Sequence, residues 1–143
     1  IDTYQVPLAK SFGADCILII LSAIDKKLAI DLYQTSKELN ISTLIEVHSA
    51  KEAEFALSFE DSLIGINNRN LKTLKVSLNT TVELAKILNS HSNPLICESG
   101  IHSPDNIKFI LENAGIYNFL IGESLLKSQD IGSKLKQFTQ ISL

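Results

Sequence analysis

Methionine and tryptophan are absent from these 143 residues, arginine occurs once, and cysteine only twice. Each scarcity closes off a class of protein. Cys16 and Cys97 lie singly inside apolar runs, so neither a disulfide framework nor a paired-cysteine metal site is expected. Both are read as reduced core residues of a cytoplasmic protein. Aromatic residues are few, at 6%, and the lysines are dispersed with Lys26 and Lys27 the one adjacent pair. That leaves neither a stacking platform nor a basic stripe for nucleic acid. No apolar run approaches the roughly 20 residues that cross a membrane, and no signal-peptide pattern is present. Linker-like low complexity is also missing, so residues 1–143 are expected to form a single domain. With no H-E-x-x-H, no compact carboxylate cluster, and His48, His91 and His102 read as loop or surface residues, no metal site is expected. A serine nucleophile is disfavoured too, because Ser99 lacks a G-x-S-x-G setting. Finally, a chain without methionine that begins on the approach to a helix is expected to be a fragment or a processed piece.

What is present is a repeated alternation. The composition is that of a globular domain, 45% hydrophobic and 20% charged with a formal net charge of -3. Apolar runs at residues 16–21, 44–47, 63–66, 95–97 and 119–121 are too short for helices and rich in Ile, Leu and Val, so they read as buried parallel strands. Helical periodicity fills the intervals at residues 1–12, 25–39, 78–88 and, less clearly, 124–138. Ser49 and Glu52 form a capping box ahead of Ala53, Ala56 and Leu57. Ser103, Pro104 and Asp105 open another helix, in which Ile107, Ile110, Leu111 and Ala114 share a face before Gly115 ends it. A helix followed by five strand-helix units predicts a parallel α/β sheet with right-handed crossovers, either doubly wound or a barrel.

In both architectures ligands meet the carboxyl ends of the strands, and the polar residues of this chain collect there. Glu46 and His48 follow the second run, Asn67 and Arg69 the third, Glu98, Ser99 and Gly100 the fourth, and Gly122, Glu123 and Ser124 the fifth. Arg69, the single arginine, carries a planar fork suited to a carboxylate or phosphate. The polar stretch around it also fits a solvated exit from the strand. Gly100 and Gly122 sit in successive strand-to-helix turns and suit either tight turns or a phosphate cradle built from backbone N-H groups at the positive ends of helix dipoles. In the cradle reading Glu123 contributes its N-H while its side chain turns away. Glu46, at a partly desolvated strand end, suits a general base or a salt-bridged structural glutamate.

The segments GADCILII, LIEVHSAKE, LIGINNRNLKTLKV, ICESGI and FLIGESLL, in this order and spacing, resemble indole-3-glycerol phosphate synthase of tryptophan biosynthesis over essentially the whole chain. That resemblance implies a (β/α)8 TIM barrel of which only strands 4 to 8 are present. It further implies a lyase that closes the indole ring of 1-(2-carboxyphenylamino)-1-deoxyribulose 5-phosphate with loss of carbon dioxide and water. By the same resemblance Glu46 is a base or electrostatic stabiliser, Asn67 and Arg69 orient the anthranilate part, and Ser99, Gly100, Gly122, Glu123 and Ser124 hold the phosphate. Leu120 helps line the indole pocket, and the resemblance implies no cofactor. Family members carry a catalytic lysine on strand 3 and a glutamate and a lysine on strand 1. Lys10, Lys26 and Lys27 lie on helical segments and cannot replace them, so the chain by itself is expected to retain a partial substrate site without competent acid catalysis. Its expected partners are the phosphorylated substrate and either a second copy or the N-terminal half of the barrel. A partial barrel is also expected to leave residues around Leu18, Leu44 and Ile64 facing water. The alternative is a non-catalytic phosphate-binding or assembly module built from the half-barrel.

Overall fold

A computed structural model describes residues 1–141. Five strands form one sheet, β1 (Cys16–Ile20), β2 (Ser42–Val47), β3 (Leu63–Asn67), β4 (Leu95–Glu98) and β5 (Asn118–Leu120). They lie side by side in sequence order and every neighbouring pair is parallel. The helices are α1 (Gln5–Ser11), α2 (Lys26–Glu38), α3 (Ala50–Ala56), α4 (Asn79–Ile87), α5 (Pro104–Ala114), α6 (Glu123–Leu126) and α7 (Ile131–Thr139). Among the described residues, no helix is long and apolar enough to cross a membrane.

Alternation along the strands gives the sheet two unlike faces. Ile19, Ile45, Val47, Ile64, Ile66 and Cys97 point one way and are buried with Ala53, Ala56, Leu84, Leu88, Ile107 and Ile110 of the helical layer. The residues between them, including Leu18, Leu44, Glu46, Gly65, Asn67, Glu98 and Leu120, belong to the opposite face. That face is open at its margins, where Leu18 on β1 is 49% exposed and Leu120 on β5 is 52% exposed.

Most helix boundaries follow the punctuation in the sequence. At α3 the expected capping box forms in part: the Ser49 hydroxyl accepts from the Glu52 N-H, while the Glu52 carboxylate takes the Ser49 hydroxyl and the His48 N-H rather than the Ser49 N-H. Ser103 caps α5 with Asn106 as its reciprocal partner, and Gly115 closes that helix at φ 65°.

Several expectations need correction. The segment expected as one helix over 124–138 is two, because Asp130 turns both carboxylate oxygens onto Ser133 and caps a fresh start at Ile131. Cys16 is exposed rather than a core residue, since it starts an edge strand. Ile64 lies on the helix-covered face and is fully buried, and Leu44, flanked by β1 and β3, is buried as well. Of the three positions expected to face water, only Leu18 does.

Candidate functional site

Glu46 sits one residue from the end of β2, and Asn67 and Glu98 are the last residues of β3 and β4. All three are buried, with Glu46 at 5% and Glu98 at 4% exposure. Glu46 and Glu98 come from strands separated by β3, so an ordinary side chain between them would keep them apart. The β3 residue in register with Glu46 is Gly65. A Cβ built there would overlap Oε1 of Glu98, which shows that the Glu98 side chain crosses β3 through the space glycine leaves. Its carboxyl thereby meets that of Glu46.

Two carboxylates held together away from water cannot both remain charged at little cost. Burial first, and then the hydrogen bond and charge of Glu46, push Glu98 up to about 8. Oε1 of Glu98 has no donor among the described residues, so its contact with Glu46 is a hydrogen bond only while the pair holds a proton. At neutral pH that proton resides on Glu98. His48 extends the group, with Nε2 3.2 Å from Glu46 Oε1 but off the line of a hydrogen bond. On its other side Nδ1 lies 3.4 Å from Ser22 Oγ and 3.5 Å from Glu52 Oε2.

Asn67 accepts the Arg69 N-H on its side-chain oxygen at 2.9 Å, an Asx turn that swings Arg69 away from the strand. Arg69 then meets Glu123, Nη2 to Oε2 at 2.5 Å, while Lys127 holds the other carboxylate oxygen at 2.6 Å. Lys127 first, then Arg69 and His102, keep the Glu123 carboxyl below the usual range.

Arg69, Ser99, Gly100, Leu120, Gly122, Glu123 and Ser124 line one cavity of about 250 Å³ together with His102. Every sequence-expected binding residue is therefore in one place. Glu46 and Asn67 stand beside that cavity on neighbouring strands rather than in its wall. Ser99 and Gly100 both have positive φ, 62° and 81°, and a Cβ at Gly100 would press on Val76, so this turn requires glycine. Gly122 faces open space, which a side chain would fill. The hydroxyl of Ser124 is buried without a partner among the described residues.

Two expectations about this cavity are revised. Glu123 does not turn away; its carboxylate occupies the mouth of the cavity because Arg69 and Lys127 both reach it. The helix dipoles expected behind the turns are slight, since α5 begins only at Pro104 and α6 has four residues. Loop N-H groups, the guanidinium and the Ser124 hydroxyl are the donors available to an anion. Sequence reasoning placed Glu98 on the rim but gave it no role, and passed over Gly65. A glycine between the two isoleucines of β3 was the available signal.

The family model described as Indole-3-glycerol phosphate synthase matches residues 1–138. The chain is 41% identical over 135 residues to the indole-3-glycerol phosphate synthase of Laribacter hongkongensis (strain HLHK9), covering 94% of this chain and 51% of that protein. It is 40% identical over 137 residues to the protein of the same name from Acidovorax sp. (strain JS42), covering 96% and 51%. The chain thus spans about half the length of the curated relatives it matches. Among solved structures, it aligns with the tryptophan synthase α2β2 complex of Pyrococcus furiosus at a TM-score of 0.72 and 12% identity, over 97% of this chain and 60% of that one. It aligns with thiamine phosphate pyrophosphorylase from Pyrococcus furiosus at 0.70 and 18% identity, over 94% and 62%. These last two likenesses concern the fold.

Proposed function

The chain belongs to the indole-3-glycerol phosphate synthase family, and from that membership we propose that it supplies strands 4 to 8 of a (β/α)8 barrel, with β1 to β5 in those places. Its reaction in this reading is ring closure of 1-(2-carboxyphenylamino)-1-deoxyribulose 5-phosphate to indole-3-glycerol phosphate. The observation that carries the reading is a carboxyl pair holding one proton beside a cavity whose donors suit an anion.

The reaction requires groups that give and take protons around a condensing ketone, and fixed cations for a carboxylate and a phosphate. Glu46 stabilises positive charge developing on the substrate or removes a proton. Glu98, protonated, gives a proton or hydrogen-bonds a substrate oxygen, and Gly65 sets the spacing between them. Asn67 keeps its amide NH2 for the anthranilate part because its oxygen is committed to the Arg69 N-H. Arg69 exchanges Glu123 for the substrate's anionic groups, and Ser99, Gly100, Gly122 and Ser124 take the phosphate. Leu120 lies against the ring system. No cofactor enters this scheme. By family, the expected compartment is the cytoplasm.

These 143 residues hold the carboxyl pair and the anion cavity, whereas the resemblance assigns the acid lysine to strand 3 and a further glutamate and lysine to strand 1. By themselves they are expected to bind the phosphorylated substrate without turning it over. Indole fluorescence tests this cleanly, because the chain has no tryptophan of its own. The expected result is no product from the chain alone and product once a polypeptide carrying strands 1 to 3 is added. Turnover by the chain alone would overturn the division of labour. Inorganic phosphate binding as tightly as the anthranilate-bearing substrate would instead favour a phosphate-binding module.

A further inference from the structure

Asn68 stands between Asn67 and Arg69 yet faces neither the carboxyl pair nor the anion cavity. It is 2% exposed, and every polar atom it owns is engaged. Its side-chain oxygen accepts from the Thr81 N-H at 3.1 Å and from the Thr81 hydroxyl at 2.9 Å. Its NH2 group donates to the Glu98 carbonyl at 3.0 Å, the Ser99 carbonyl at 3.1 Å and Cys97 Sγ at 3.3 Å. Its backbone N-H donates to the same Glu98 carbonyl at 2.9 Å, and its carbonyl accepts from Ser77. The amide can face only one way. Reversed, it would set an oxygen against two carbonyl oxygens and an NH2 group against an N-H.

The two carbonyls held by Asn68 lie where the chain leaves β4 and does something unusual. Ser99 adopts φ 62°, a region in which a non-glycine residue is uncommon, and Gly100 follows at 81°. Across a trans peptide the carbonyl of one residue and the N-H of the next point in opposite directions. Holding the Ser99 carbonyl on Asn68 therefore turns the Gly100 N-H away from Asn68, and Ser99 and Gly100 both line the cavity that Asn68 does not.

We propose that Asn68 is the positioning residue of the anion site, holding the Glu98 and Ser99 carbonyls so that Ser99 keeps its positive φ and the Gly100 N-H is aimed at the bound phosphate. The anion part of this proposal rests on the phosphate-site reading above. Asn68 reaches the ligand only through the loop it sets, which distinguishes it from Asn67 and Arg69 on either side.

The experiment is an inorganic phosphate titration of the 143-residue chain followed by amide NMR, with backbone couplings reporting the φ of Ser99. Asn68→Asp keeps the shape but places an oxygen against both carbonyls. It is expected to move Ser99 out of its positive φ and to weaken phosphate binding roughly tenfold, while amides distant from the β3 and β4 ends keep their positions. Thr81→Val removes the hydroxyl's bonds to Asn68 Oδ1 and Cys97 Sγ from the same buried cluster without freeing either carbonyl. It is expected to lower stability yet leave Ser99 and phosphate affinity within about twofold of the parent. A folded Asn68→Asp chain with Ser99 unmoved overturns the proposal, and so does a Thr81→Val chain that loses phosphate equally. If Asn68→Asp does not fold, Asn68→Ala carries the same two readouts. If the parent binds no phosphate, the anion-site reading fails, and the Ser99 couplings still decide whether Asn68 sets the loop.

Discussion

Gly65 on β3 lies beneath the side chain of Glu98 on β4, and its missing Cβ is the opening through which Glu98 reaches Glu46. The atom in the way of an added methyl is the far end of a flexible side chain, so the sheet itself can accept alanine there. Gly65→Ala is expected to displace the Glu98 carboxyl, returning its titration toward the ordinary carboxylate range, with a stability change within about 1 kcal/mol. Carboxyl carbon NMR and urea denaturation measure the two effects. A Glu98 titration unchanged by the methyl would show that the pair does not depend on this opening.

Stability should depend on pH in an unusual direction. Glu98 titrates near 8 in the folded chain and near 4.5 in water. Between those values the folded chain keeps a proton that the unfolded chain has released, so stability falls as pH rises through the window and levels off above it. Allowing for water at the open side of the pair, the decline is about 2 kcal/mol. Glu98→Gln removes the titrating group while retaining a donor to Glu46. His48, which faces Glu46, and Glu52 beyond it are common to both chains, so the difference in denaturation midpoints between pH 5 and 9 isolates Glu98. Equal slopes in the two chains would sink the assignment.

Glu123 occupies the position on Arg69 that an anionic ligand would take. Freeing that guanidinium is expected to raise phosphate affinity about threefold to tenfold in Glu123→Gln, with the gain shrinking as salt is added. Arg69→Gln is expected to lower affinity roughly tenfold or more. Calorimetric titration with inorganic phosphate at two salt concentrations provides the comparison. A loss of affinity in Glu123→Gln would mean that the carboxylate organises the site rather than competing for it.

The two faces of the sheet should respond differently to truncation. Ile64→Ala, on the fully buried face, is expected to cost about 3 kcal/mol. Leu18→Ala, on the open face at the edge, should cost less than about 1 kcal/mol. Denaturant midpoints of the two variants decide it, and comparable losses would mean that Leu18 is covered in solution.

The strands were legible because their Ile, Leu and Val runs are short and well separated, and α3 and α5 because their caps are explicit in Ser49, Glu52, Ser103, Pro104 and Gly115. The gathering of Arg69, Ser99, Gly100, Leu120, Gly122, Glu123 and Ser124 was legible too, since parallel strands deliver their carboxyl ends to one rim. What the sequence withheld depends on register and on conformation. The meeting of Glu46 with Glu98 requires knowing which β3 residue lies between them and that it is Gly65. The break before α7 rests on Asp130 choosing Ser133, a local competition that periodicity does not register. The reach of Glu123 to Arg69 joins groups 54 positions apart, beyond any local pattern.

Each strand of the sheet lies beside the strand that precedes it in the chain, with no strand inserted between earlier ones. During synthesis this order allows each emerging strand to pair with one already made. A newly made strand finds its partner already waiting and never has to part a completed seam. Each step closes only the crossover between one strand and the next, and the entropy lost grows slowly with the length of that crossover. Growth of this kind can halt after any strand and leave a sheet ready to extend from its last edge.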